Sequence, residues 1–267
     1  MFSLRNKPPE SEPHRRTQHR VRTRSLAVLK ERTVVEKLAA KLRDRNQNFA
    51  RDSDQHLGEV HTWVNPARSP RVNSLLRSLY GGLTPRMQPE IDIVLKKGED
   101  IRAIEVKFFK IRSNDSLSLS YYEGIDQALA LLMYGFNKTA LWHVFDQDIE
   151  LSKVITYGSV AQVFIVEQLR LPINFTAIRL ERSAQNYEFT PTKPILRDYN
   201  SMEVVHALSL VKIHDPRLKF VWTATNPLLE DGRVQNIRAA LMEWLNKREQ
   251  RSKQRTEPLK NNASNSA

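Results

Sequence analysis

Residues 89–110 read PEIDIVLKKGEDIRAIEVKFFK, and the fold turns on how this stretch is built. It holds two short runs rich in Ile, Val and Phe, joined by a charged turn around Gly98. Such runs flanking a glycine-containing turn predict a strand pair. The first run carries Asp92 among Ile91, Ile93 and Val94; the second carries Glu105 and Lys107 among Ile104, Val106 and Phe108. Ionised groups are costly to bury without partners. In a strand, residues two apart point the same way. Glu105 and Lys107 therefore share one face, and Ile104, Val106 and Phe108 take the other. On the preceding strand Ile91, Ile93 and Leu95 are expected to share a face, with Asp92 opposite beside Glu90 and Val94. Pairing of the two strands brings Asp92, Glu105 and Lys107 to one surface. Two carboxylates beside an ammonium suit a hard divalent cation, with the carboxylates as oxygen ligands. The lysine is placed to orient or deprotonate an attacking water, or to offset charge on a phosphate. These are the parts of metal-assisted phosphodiester hydrolysis. The plain alternative is a cross-strand ion pair near a sheet edge.

Working outward, Val28, Val35, Leu38, Ala39 and Leu42 recur at helical spacing and predict a helix over residues 25–45. Glu31 falls near the middle of that apolar face, and Glu36 toward its edge. Residues 46–88 hold a polar stretch, a helix near 72–80 and a Gly81-Gly82 break. After the strand pair come a polar loop at 113–120, a helix over 121–134 carrying Gln127, and a short buried strand at 139–145. Further on, 160–169 reads as helix and 174–182 as a strand. Residues 183–200 read as a proline-containing connection, 204–211 is ambiguous, 220–224 reads as a strand, and 232–251 as a helix. His143 reads as a core-edge histidine. Strands interleaved with helices indicate an α/β fold.

Composition narrows the function. The chain has no cysteine, which excludes disulfides, thiolate nucleophiles and Cys-ligated metal sites. No apolar run reaches membrane-spanning length and no signal sequence is visible, so a cytoplasmic protein without a membrane partner is expected. No phosphate-binding P-loop, GxGxxG, HExxH or GxSxG pattern occurs. The formal net charge is +12. Residues 1–25 hold seven Lys/Arg against two Glu, and residues 246–267 hold six against two, so most of the excess lies in the tails. A basic balance points to a polyanionic partner, nucleic acid first.

The IDIV and IEVK segments resemble the two motifs of the PD-(D/E)xK nuclease superfamily, an acidic residue on one core strand and (D/E)xK on the next. Asp92 and Glu105 stand thirteen positions apart here. Pro89 precedes Glu90 and not Asp92, so Glu90 remains an alternative for the first acid. The resemblance covers roughly residues 25–146. It implies a restriction-endonuclease-like αβββαβ core with a mixed sheet, and Mg²⁺-dependent cleavage of DNA. It also implies an acid on the opening helix. There KERTVVEKL resembles the ERxxVxxL-type helix of archaeal Holliday-junction resolvases, which favours Glu31 over Glu36. A polar residue on the helix after the strand pair matches Gln127. The implied catalytic set is Asp92, Glu105, Lys107, Glu31 and Gln127, with Asp92, Glu105 and Glu31 as metal ligands. The expected organisation is a disordered basic arm (1–24), the nuclease core (25–146), a C-terminal α/β extension packed on it (147–245) and a basic tail (246–267). DNA is the expected partner, and homodimer formation stays an open alternative.

Overall fold

A computed structural model of the chain describes residues 29–83, 90–110, 121–183, 186–192, 194–198, 203–207, 211–220 and 222–263. The basic arm, residues 25–28 at the expected start of the first helix, and the polar loop at 113–120 lie outside the described residues.

The strand pair forms as its pattern predicts. Strand β2 (Ile91–Lys97) and β3 (Asp100–Phe109) run antiparallel, with Lys97 opposite Asp100 across a two-residue turn. Gly98 sits in that turn at φ 58°, a conformation that a tight hairpin needs and glycine adopts without strain. Around this pair the chain builds one mixed six-stranded sheet in the order β1-β2-β3-β4-β5-β6. Strand β1 (Glu59–Val64) pairs antiparallel with β2. Strand β4 (Lys138–Phe145) lies parallel to β3, and β5 (Asn174–Arg182) lies parallel to β4. Strand β6 (Tyr187–Thr192) closes the far edge antiparallel to β5. Strands β7 (Pro194–Asp198) and β8 (Glu203–Ala207) form a separate two-stranded ribbon.

Helices cover both faces. Helix α1 (Glu31–Asn46) lays Val34, Val35, Leu38, Ala39 and Leu42 on Ile93, Leu95, Ile104, Val106, Trp142 and Val144. Each Val, Leu or Ile among them contributes roughly 1.5–3 kcal/mol when removed from water. The opposite face is covered by α2 (Pro70–Leu79), α3 (Ile125–Leu132), α4 (Leu151–Gln162) and α5 (Gly232–Ala263). Val72 and Leu76 of α2 and Ile237, Leu241 and Leu245 of α5 pack with Val64, Ile91 and Val94. Ala128 of α3 and Val154 and Tyr157 of α4 pack with Leu141, Phe145 and Ala177. Parallel strands need a crossover, and α3 and α4 supply the two crossovers on this face. Strand β1 is an edge, and the carbonyls of Val60 and Thr62 accept from Arg43 and Arg248. Arginines there hinder pairing with another chain.

Several expectations are corrected. Strand β1 has no counterpart in the sequence reading. Residues 183–200, read as a connection, contain β6 and β7. Phe220 and residues 222–224 do not form a strand; the Asn174 side chain holds both the N–H and the C=O of Ala224, so a side chain replaces the strand ladder there. Helix α5 runs on to Ala263, past the expected end at 251. Face alternation also breaks at one place in β2. Ile91 packs with Val94 on the α2–α5 side, while Ile93 and Leu95 lie under α1. The irregularity falls at Asp92. The neighbouring strand is irregular at the same level, where Trp63 takes φ 52° and drops out of the register between Thr62↔Ile93 and Val64↔Ile91.

Candidate active site

Asp92 sits where β2 and β3 part. Their register ends at Ile93↔Ile104, and beyond it β3 continues beside β4 alone. This leaves β3 amides without a strand partner, and an unpaired buried amide is costly. Two carboxylates take them. Asp92 Oδ2 accepts from Val106 N at 2.8 Å, and Glu31 Oε2 accepts from Phe108 N at 3.1 Å. Glu31 opens α1, which packs on the opposite face of the sheet from Glu105 and Lys107. It therefore reaches β3 through the gap between the parted strands, from the far side.

Glu105 and Lys107 point together, as strand alternation requires, and Lys107 Nζ lies 2.9 Å from Glu105 Oε1. Asp92 is 6% exposed and Glu105 3%. Burial, then the charges of Glu105 and Glu31, push the Asp92 carboxyl up to about 8, against the pull of the Val106 N–H. Burial also raises Glu105, with Lys107 opposing. For Lys107 burial works against its charge, but Glu105, Glu31 and Asp92 outweigh it and the net shift is upward. Lys107 is thus held as an ammonium. Glu105 Oε2 is buried with no hydrogen-bond partner. A buried carboxylate oxygen without a partner beside a second carboxylate is a donor set that fits a hard cation. No group of three or more His, Asp or Glu side chains among the described residues is placed to hold a metal ion, so the structure does not bring Asp92, Glu105 and Glu31 together as the expected set of three ligands. Mg²⁺ is commonly held by only one or two carboxylates, with water completing its shell.

The alternatives left open by sequence separate cleanly. Glu90 is exposed, whereas Asp92 is buried at the parting of the strands. Glu36 is exposed and pairs with Arg32 at 3.6 Å along the outer face of α1. Gln127 is half-buried on α3 and makes no hydrogen bond to Asp92, Glu105 or Lys107 among the described residues.

What α3 brings to the site is its first turn. Gly124, at φ 83°, lies against Lys107; a Cβ there would stand 2.9 Å from Lys107 Cε and 2.9 Å from Leu141 Cδ1. Asp126 is close enough to add to the upward shift of Glu105. The turn is held from beneath. His143, fully buried on β4 opposite Lys107 in register, bonds the Glu123 carbonyl through Nε2 at 2.9 Å and the Tyr157 hydroxyl through Nδ1 at 2.7 Å. Burial lowers His143 to about 4. The neutral ring then donates from Nε2 and accepts at Nδ1. Gly124, Asp126 and His143 escaped the sequence reading as site residues. Gly124 had one legible sign, a glycine followed by an acid at a helix start.

Comparisons with protein-family models, with curated proteins and with solved structures find no match. No helix among the described residues is long and apolar enough to cross a membrane.

Proposed function

We propose that the chain is a metal-dependent nuclease of the PD-(D/E)xK type that hydrolyses phosphodiester bonds of DNA. The observation that carries this reading is the convergence of Asp92, Glu105 and Lys107 at the parting of β2 and β3, with Glu105 Oε2 buried and unpartnered. The chain order α1-β1-β2-β3-α3-β4, with α2 inserted after β1, supports the αβββαβ core that the motifs imply. Asp92 and Glu105 would hold Mg²⁺ or Mn²⁺, with the Glu31 carboxylate adding negative charge nearby. A cation there supplies positive charge on the phosphate and lowers the pKa of water. Lys107, kept charged by three carboxylates, offsets charge developing on the phosphate. Its raised pKa argues against a role as general base. Glu31 holds the Phe108 amide and so fixes the strand that carries Glu105 and Lys107. DNA as partner and cytoplasmic location belong to the same proposal, and homodimer formation stays an open alternative.

A second reading has its own support. Asp92 and Glu31 each cap a β3 amide, which is enough to explain one buried and one half-buried carboxylate in a nucleic-acid-binding protein without catalysis. Incubation with single-stranded, duplex and branched DNA separates the two. The nuclease reading expects cutting with Mg²⁺ or Mn²⁺ that stops on chelation and is lost in Asp92→Asn, whose side-chain carbonyl still accepts from Val106. Wild-type protein that binds DNA but never cuts it would establish the capping reading.

A further inference from the structure

At the outer edge of the sheet, the end of α1, the start of β1 and the β2–β3 turn meet α5 around an open cavity of about 630 Å³. Arg43, Arg51, Lys96 and Lys97 line it, with the carboxylates of Glu59 and Glu249. Both acids are drawn to one cation: Lys96 Nζ lies 3.3 Å from Glu59 and 3.7 Å from Glu249. The other three cations have no carboxylate partner among the described residues. Arg43 donates to the Val60 carbonyl at 3.1 Å, and Lys97 to the Ser53 carbonyl at 2.8 Å. A carbonyl accepts the hydrogen bond but leaves the charge standing. Arg51 has neither hydrogen bond nor ion pair among the described residues.

Lone surface cations are ordinarily just solvated. These three are gathered in one concavity on a braced floor. The Asn46 side chain accepts from Leu57 N at 2.8 Å and donates to the Gly58 carbonyl at 2.6 Å. Gly58, at φ 82°, lets the chain pass over β2, since a Cβ there would stand 2.1 Å from the Lys96 carbonyl oxygen. Two imidazoles complete the lining, His56 and His61. His61 Nε2 is buried without a hydrogen bond and lies 3.5 Å from Glu59. Burial lowers His61 to about 4, with Arg248, Lys96 and Arg43 adding to the effect. Burial, Lys97 and Arg51 lower His56. Cations thus press on both rings from several sides.

We propose that this cavity binds a phosphate group, with Arg43, Arg51 and Lys97 supplying charge and His56 and His61 supplying ring N–H donors. The proposal stands apart from the nuclease reading. Lys96 is four residues from Asp92, roughly 13 Å along the strand, so a phosphate bound here is not one bound at the carboxylates.

The test is a titration of the full chain with inorganic phosphate in chelated buffer, read from the histidine ring resonances by NMR. The expected result is a saturable shift of His56 and His61, with both rings titrating at higher pH once the anion is bound, and no shift of His143. The double variant Arg51→Gln, Lys97→Gln should keep the wild-type melting temperature and bind phosphate about tenfold more weakly, while Arg51→Lys, Lys97→Arg retains binding. A short duplex oligonucleotide distinguishes the source. If it displaces phosphate, the natural occupant is a nucleic-acid backbone; if phosphate binds and the oligonucleotide does not compete, it is a free phosphate or phosphomonoester. Unmoved His56 and His61 resonances, or equal shifts in wild type and the Gln double variant, would overturn the proposal. Asp92→Asn must leave the phosphate titration unchanged, which keeps this result separate from the fate of the nuclease reading.

Discussion

Asp92 Oδ2 accepts the Val106 N–H at 2.8 Å, and this one contact does the work that a paired strand residue would otherwise do. The strands part, β3 keeps its amide satisfied, and a carboxylate is drawn into the gap beside Glu105.

Charge and hydrogen bonding at that contact can be separated by substitution. Asp92→Asn and Glu105→Gln keep an acceptor of the same shape and remove an ionised group from a crowded buried site. Cleavage should fall at least about a hundredfold in each. Thermal stability should hold or rise in Asp92→Asn, because burial and repulsion from Glu105 and Glu31 disfavour its charge. Variants that cut at the wild-type rate in a gel assay would sink the assignment of both residues.

Gly124 should prove intolerant of even one added carbon. Its positive φ costs a non-glycine residue about 1–3 kcal/mol, and the new Cβ must displace Lys107 or Leu141. Gly124→Ala is expected to lower the melting temperature and to cut cleavage more than DNA binding. A variant with wild-type turnover would show that the position of Lys107 is unimportant.

The two acids of α1 should behave differently. Glu36 pairs only with exposed Arg32, so Glu36→Gln should change stability by less than about 0.5 kcal/mol and leave cleavage intact. Glu31→Gln retains an acceptor for Phe108 but loses a charge near Glu105 and Lys107. About a tenfold loss of cleavage or more is expected. The reverse order in side-by-side assays would remove Glu31 from the site.

Acid should destabilise the protein through His143. Its folded pKa, about 4, lies below the ordinary value of 6.5, so the unfolded chain binds the extra proton first. The stabilising contribution is complete above pH 6.5 and is lost as pH falls toward 4, on the order of 3 kcal/mol at most. Burial, in which Phe109 and Phe175 pack with ring centres 4.9 and 5.1 Å away, and the Lys107 ammonium oppose protonation. His61 adds to the loss over the same range. Urea denaturation at pH 6.5 and 4.5 should show a smaller drop for His143→Phe than for wild type; an equal drop would count against the buried neutral ring.

Residues 1–24 carry seven Lys/Arg. If the arm contacts phosphates, deleting it should flatten the slope of log affinity against log salt by about two to four, at about 0.9 per duplex phosphate contact. Cleavage at saturating DNA should survive. An unchanged slope in a fluorescence titration would confine DNA attraction to the remainder of the chain.

Strand and helix periodicity carried the local part of this structure. Ile104, Val106 and Phe108 turn from Glu105 and Lys107 because successive side chains of a strand alternate. Val35, Leu38, Ala39 and Leu42 line one side of α1 because a helix repeats every 3.6 residues. Asn174–Arg182 was legible for the same reason. Strand β1 was not: EVHTWV mixes polar and apolar residues at an edge, where burial imposes no strict pattern. Nor was β6, whose one proline and two threonines suit an edge strand and a loop equally well.

The sequence by itself determined that two carboxylates and a lysine would lie on adjoining strands. Whether they form a site was decided only by tertiary structure. Asp92 leaves the regular pleat where β2 and β3 part, with β2 continuing beside β1 and β3 beside β4. Glu31 reaches β3 from the opposite face through the resulting gap. Gly124 and His143 meet Lys107 because a crossover helix returns the chain over β3. Periodicity reports which way a side chain points along its own element. Which amides lose their partners, and which carboxylates replace them, depends on contacts between residues as far apart as Glu31 and Phe108, and no local pattern encodes that.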